Sequence, residues 1–206
     1  MARSYAKSAA VKRGILDACV AAFGENGFHG ASMAEIARRA GISHTGLLHH
    51  FPRKEDLLTA VLSLQDARTA RFIEEHAAVA GTQDPVTLLQ GILASMAERT
   101  RTPGLLQLSA VLTAEASVPS HPAHAYFAKR FEAVRSFLTR VYAEAAAQGR
   151  LRGDLPPAVL AASTIALADG LLTQRLYAPE AIDVEGMLAR HIGELVEGFR
   201  GGSAGA

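Results

Sequence analysis

Between positions 32 and 54 the chain reads SMAEIARRAGISHTGLLHHFPRK. Ser32 and Glu35 have capping-box spacing, in which the hydroxyl and the carboxylate each satisfy an orphan backbone N–H. Met33, Ile36, Ala37 and Ala40 then recur with helical period on one face. Gly41 falls where a left-handed residue would end that helix. Ser43 is placed to cap a second helix, and Ile42 before it to staple onto Leu47. A helix, a glycine turn and a capped short helix make the helix-turn-helix pattern, whose second helix is small enough to lie in a DNA major groove.

Working outward, residues 1–8 read as a flexible basic arm and Ala9 to Glu25 as a first helix. Its stripe is Val11, Ile15, Ala18, Cys19, Ala22 and Phe23, and it stops at Asn26-Gly27. Phe28 plugs a three-helix core. On the other side Pro52 breaks the chain, and a longer helix opens near Arg53 with Leu57, Leu58, Val61 and Leu62, continuing to Phe72 and Ile73. Further helices are expected over 86–101, 105–116, 123–148, 157–177 and 184–199, separated by Gly81–Pro85, Pro103-Gly104, the loop VPSHPAH (118–124), Gly149 to Pro156, and Pro179. No strand or repeat is evident. The expected fold is all-α with about nine helices. Residues 1–52 would be a DNA-binding head, 53–200 a regulatory and dimerising body, and 201–206 a disordered tail.

Composition agrees. The 206 residues are 49% hydrophobic, only 6% aromatic and without Trp, which favours packed helices. The single cysteine, Cys19, excludes an internal disulfide and a Cys-based zinc site, and its apolar face makes it a buried thiol rather than a redox sensor. No apolar run approaches the roughly 18 residues of a membrane span. The basic N-terminus is not followed by the apolar core of a signal peptide, so a soluble cytoplasmic protein without membrane contact is expected. The net charge of +1 is unevenly spread. Residues 1–54 hold eight Lys/Arg (Arg3, Lys7, Lys12, Arg13, Arg38, Arg39, Arg53, Lys54) against three acids (Asp17, Glu25, Glu35), giving +5 and leaving −4 for the remainder. A basic head on a mildly acidic body suits a protein that meets phosphates with one end.

The arrangement Phe23…Gly27…Ser32…Ile36-Ala37…Ala40-Gly41-Ile42-Ser43…Leu47…His50-Phe51…Lys54-Glu55…Leu57-Leu58 resembles the DNA-binding head of the tetracycline-repressor (TetR/AcrR) family. The resemblance covers residues 10 to about 62; beyond it only the layout is similar, an all-helical body whose last two long helices form the dimer interface. It implies a repressor that releases DNA when a small molecule enters the body. It also implies that Ser32 meets a phosphate, that His44 and Thr45 touch base edges, and that His49, His50 and Lys54 lie at the backbone. Leu48 stands where Tyr is frequent, which limits it to an apolar contact such as a thymine methyl. Gly46 stands where Thr is frequent, and Arg53 replaces a small N-cap.

These residue types suit such a task. Thr45 and His44 can each donate or accept a hydrogen bond, and Thr45 offers a methyl group to thymine. Gly46 lets the backbone approach DNA. Lys54, near a helix N-terminus, forms a phosphate site with the exposed N–H groups. Lys12, Arg13, Arg38, Arg39 and Arg53 supply non-specific affinity through counterion release; Arg38-Arg39 is alternatively a merely solvated face. His44, His49 and His50 lack a nearby Cys or carboxylate partner for a metal, and no metal or other cofactor is expected.

In the body, Gln107, Glu115, His121, His124 and Tyr126 are candidates to line an effector pocket. His121 and His124 also have a spacing compatible with metal binding. Leu167, Leu171 and Leu172, with Leu188, Ile192, Leu195 and also Met187, Val196 and Phe199, are candidates for a four-helix interface in a two-fold dimer, which requires a palindromic operator on double-stranded DNA. An activator or constitutive DNA binder without small-molecule input is the alternative reading. No nucleophile–base pair, phosphate loop or acid/base set supports an enzyme.

Overall fold

A computed structural model describes the backbone over residues 2–80, 84–101 and 104–199, and the side chains in those ranges except at 2–7, 68–69, 72–80 and 98–99. The described residues form nine helices: α1 (Ala2–Gly30), α2 (Met33–Arg39), α3 (His44–His50), α4 (Lys54–Ala80), α5 (Pro85–Arg101), α6 (Leu105–Glu115), α7 (His124–Ala147), α8 (Pro157–Tyr177) and α9 (Val184–Leu195). They pack as two compact units, Met1–Asp66 with Pro103–Phe127, and Ala67–Thr102 with Ala128–Ala206. The side chains of Phe72 and Ile73, and the tail from 201, lie outside the described residues.

The core of the first unit is built on the expected stripes. Ile15, Cys19, Ala22 and Phe23 of α1 pack with Phe28, with Ile36 and Ala37 of α2, with Leu47 of α3, and with Leu57, Leu58, Val61 and Leu62 of α4. Burial pushes the Cys19 thiol up to about 12, so it stays protonated and unreactive. Two expectations for α1 are corrected. The segment expected to be a flexible arm is helical from Ala2. The helix also does not stop at Asn26-Gly27; it kinks at Gly27 (φ 68°, ψ 179°) and makes another turn to Gly30. That combination of angles is open essentially to glycine alone. A further element joins this core: Leu105, Leu108 and Leu112 of α6 pack on α1. Gly24 allows the approach, since a Cβ there would stand 3.3 Å from the Leu108 amide nitrogen.

In the second unit α9 packs against both α5 and α8. Tyr142 of α7 and Thr164 of α8 share a buried hydrogen bond of 2.8 Å, which satisfies two hydroxyls at once. Asp84 caps α5 by accepting from the Thr87 amide (3.0 Å) and binds the Arg150 guanidinium (2.6 Å). The last helix is shorter than its apolar pattern suggests. It ends at Leu195, where the chain turns extended at Val196 and forms an isolated antiparallel bridge to Leu151. Arg152 N–H donates to the Leu195 carbonyl and Glu197 N–H to that of Arg150, and Gly198 turns with positive φ. Val196 and Phe199 are still buried, so the stripe was real although its last turn is not helical.

One composition-based expectation also changes. α8 is long and apolar enough to cross a membrane by length and composition alone, with a mean hydropathy of 1.2 over its best window. Its apolar residues are dispersed among Ser, Thr and Gly, so no uninterrupted run reveals it. Leu160, Ala161, Thr164, Ala168, Leu171 and Leu172 are buried, and a third of that window is covered.

Candidate nucleic-acid interface

The helix-turn-helix is set by local chemistry at three points. Ser32 is extended (φ −111°, ψ 148°) and its hydroxyl accepts from Glu35 N–H at 3.2 Å. α2 ends in a Schellman motif: Gly41 takes φ 68°, Ile42 N–H donates to the Ala37 carbonyl, and Gly41 N–H to that of Arg38. Ser43 then caps α3, its hydroxyl accepting from Gly46 N–H at 3.0 Å. Each such cap contributes about 1 kcal/mol to its helix. Leu47 is fully buried and fixes which side of α3 faces the core. His44, Thr45, Leu48 and His49 are therefore exposed, and Gly46 and His50 half-exposed. Leu48 is 39% exposed. The rings of His49 and His50 meet at 5.8 Å between centroids.

The charged residues around this face are more engaged than the sequence suggests. Only half of the expected capping box forms, because the Glu35 carboxylate is taken by guanidinium groups. Arg38 reaches it at 2.8 Å and Arg39 at 2.6 Å, and Arg39 also binds Glu25 of α1 at 2.6 Å. Hydrogen bonds from Arg38, then Arg39, hold the Glu35 carboxyl down to about 2, and Arg39 holds Glu25 below the ordinary range. Arg39 thus staples α2 to α1 and is not a free phosphate ligand, whereas the side chain of Arg38 is 73% exposed.

Lys54 is likewise turned inward. Its ammonium donates to the carbonyls of Ala31 (2.9 Å) and His29 (3.3 Å) and stands 4.6 Å from the Phe28 ring centroid. An ammonium has three N–H donors, so one remains for an outside acceptor. Arg53, lacking a capping side chain, is served in reverse: Asp56 accepts from the Arg53 amide (3.1 Å) and binds its guanidinium (2.9 Å).

Of the candidate effector residues, Glu115 and His121 stand side by side. Gln107 is exposed. Glu115 accepts from the Phe28 amide at 2.7 Å. His121 is buried, its Nε2 3.8 Å from Glu115, and desolvation depresses its pKa. His124 Nδ1 meets the Ala116 carbonyl, and the Tyr126 hydroxyl donates to Asp66 at 2.7 Å. Apart from Gln107, these side chains serve the first unit. Sequence spacing showed polar residues on apolar helices but not the partners that Glu115, His124 and Tyr126 have within the chain.

The candidate interface residues divide by burial. Leu171, Leu172, Leu188 and Ile192 are buried by their own chain, and only Leu167 and Leu195 keep partial exposure. The same two helices instead expose Val159, Leu176, Tyr177 and Met187. An open groove of about 490 Å³ runs beside Met187, Arg190, His191 and Glu194 of α9. Apart from Met187, sequence reasoning missed these residues; their spacing of three and four on α9 was the available signal. Among the described residues no three His, Cys, Asp or Glu side chains stand together as a metal site.

Residues 15–61 match the sequence profile of the bacterial regulatory proteins of the tetR family, and residues 86–199 that of the C-terminal region of BetI-type transcriptional repressors. The second match spans more than half of the chain. The chain belongs to the TetR family. Among curated relatives, the transcriptional regulator RutR of Escherichia coli K12 is 40% identical over 90 residues, 42% of this chain and 42% of RutR. The similarity thus spans less than half the length of that relative. A TetR-family transcriptional regulator from Agrobacterium tumefaciens shares the fold with a TM-score of 0.73 at 22% identity, covering 91% of this chain and 98% of that one. AibR, solved in complex with isovaleryl coenzyme A and operator DNA, matches with a TM-score of 0.64 at 24% identity, covering 90% and 98%. The TetR assignment accounts for the all-helical architecture and for the helix-turn-helix.

Proposed function

We propose that this TetR-family regulator is a dimeric repressor that holds a palindromic operator through α3 and leaves it when a small organic effector binds. The exposed first turn of α3 carries the reading. Its Gly46 amide is capped by Ser43 and its core side is pinned by Leu47, so His44 and Thr45 project from a rigid helix start. His44 and Thr45 would contact base edges, Leu48 a thymine methyl, and Gly46 would let the backbone close on the DNA. Ser32, Ser43, His49, His50 and the remaining N–H of Lys54, with exposed Lys12, Arg13 and Arg38, would meet phosphates.

A homodimer would place two such helices on one face of the duplex. The apolar residues that α8 and α9 leave exposed, Tyr177 and Met187 foremost, together with the half-exposed Leu167 and Leu195, support a self-complementary interface of the second unit. AibR, described with both a coenzyme A thioester and operator DNA, supports an effector-responsive mechanism. The effector would act through α4, which begins where the helix-turn-helix ends, and only as far as it binds one state more tightly than the other.

Fluorescence anisotropy with a random-core duplex pool, read across a salt series, tests this. The proposal expects log affinity to fall linearly with log salt. It also expects at least one compound of a small-molecule panel to raise Tm and release the DNA. Release by none would favour the constitutive reading, and folded protein that ignores DNA at low salt would end both.

A further inference from the structure

The kink at Gly27 leaves the Phe28 amide without its helical acceptor. An α1 N–H at this position would ordinarily donate four residues back, but the non-helical φ and ψ of Gly27 interrupt that ladder. Phe28 is 3% exposed, so water does not serve as the substitute. The Glu115 carboxylate, at the last residue of α6, takes this proton at 2.7 Å. Gly27 makes room for it: a Cβ at that position would meet Glu115 Oε1 at 2.1 Å. Behind the carboxylate stands His121, buried, with Nδ1 accepting from the Ala123 amide at 3.1 Å. In the neutral ring the proton is then on Nε2, which has no other partner and lies 3.8 Å from Glu115 Oε2. The His121 ring also packs edge-on against Phe28 and His29, each at 5.3 Å between centroids.

The corner at 27–31 matters because both ends of the helix-turn-helix hang from it. At one end the corner runs directly into Ser32, the cap of α2. At the other end Lys54, at the start of α4 and four residues past α3, is tied to the carbonyls of His29 and Ala31. α3 is therefore a span between two attachments to one short piece of backbone, and α6 grips that piece through Glu115.

We propose that Glu115 is a positioning residue for DNA binding: by accepting the Phe28 N–H at the Gly27 kink it fixes the corner that sets where α3 is presented. This rests on the reading of α3 as the DNA-contacting helix. A charge-assisted bond to a buried amide is strong enough that its loss shifts the corner rather than merely loosening a surface contact.

The experiment compares the full-length protein with Glu115→Ala, Glu115→Asp and Glu115→Gln. The probe is a duplex recovered from a random-sequence pool by the unmutated protein. Glu115→Gln keeps an acceptor at the same reach, whereas Glu115→Asp keeps the charge but withdraws it by one methylene. Affinity is measured well below each variant's Tm, and exchange of the Phe28 amide is followed by NMR. The expected result is about a tenfold loss of duplex affinity and at least tenfold faster Phe28 exchange for Ala and Asp, with Gln within about threefold of the original on both. A merely stabilising role would lower Tm and leave the affinity of the folded protein unchanged. Should Glu115→Ala not fold, the Asp and Gln variants decide, and equal affinities for those two overturn the proposal. Faster exchange with unchanged affinity overturns the positioning role alone. Recovery of no duplex by the unmutated protein overturns the DNA-binding reading and this proposal with it.

Discussion

Lys54 shows how a residue read for its type can have a use that its type does not reveal. A lysine at a helix start beside a DNA-reading helix suggests a phosphate ligand, yet its ammonium already serves two main-chain carbonyls. Those carbonyls belong to a kinked corner that no spacing rule announces. The same holds for Arg39, whose two carboxylate partners lie at 25 and 35 in the sequence. Thr45 is the opposite case, exposed and unburdened by such a role. The two classes separate under mutation. Lys54→Ala is expected to lower unfolding stability by about 1–3 kcal/mol, through two charge-assisted bonds, and to weaken binding to all duplexes alike. Thr45→Ala is expected to leave stability within about 0.5 kcal/mol while changing which sequences are preferred. Urea denaturation and competition binding measure both; an unchanged urea midpoint for Lys54→Ala would contradict the clamp.

At the scale of elements, boundaries written in short-range chemistry were legible and pairings were not. Ser32, Gly41 and Ser43 mark their turns because each satisfies or permits a backbone group within a few residues. The kink in α1 was not legible, because Asn26-Gly27 is as good a stop as a bend until Glu115, 87 residues away from Phe28, is seen to hold the amide. Nor did the leucines of α6 say which helix they would meet. The turn at Leu195 escaped because the buried stripe runs on through Val196 and Phe199 after the helix has ended. The two positive-φ glycines of the head make a graded test. At Gly41 an added Cβ meets nothing within 4 Å, so Gly41→Ala bears only the left-handed penalty, about 1–2 kcal/mol. At Gly27 the backbone strain, about 1–3 kcal/mol, is joined by displacement of the Glu115 carboxylate from the Phe28 amide. Gly27→Ala should therefore be the more destabilising in thermal denaturation; the reverse order would contradict the packing of α6 on α1.

For the molecule as a whole, the all-helical class, the number of helices and the helix-turn-helix were within reach of the sequence, because period and capping are local signals. The division of labour among apolar residues was not. Leu171, Leu172, Leu188 and Ile192 look in sequence like Tyr177 and Met187, yet the former are covered by their own chain and the latter are bare. Only the folded unit distinguishes an internal core from a face available to a second copy. In the proposed dimer the exposed face would matter through symmetry, since two-fold pairing would turn one exposed helix start into two and require an operator with matching halves. Selection of bound duplexes from a random-sequence pool, followed by sequencing, probes this most directly. The account predicts a palindromic consensus with half-site centres about one helical turn apart or somewhat more, and a cost of about 1–3 kcal/mol for each changed half-site base pair. A bound pool indistinguishable in sequence from the input, obtained with folded protein, would contradict it.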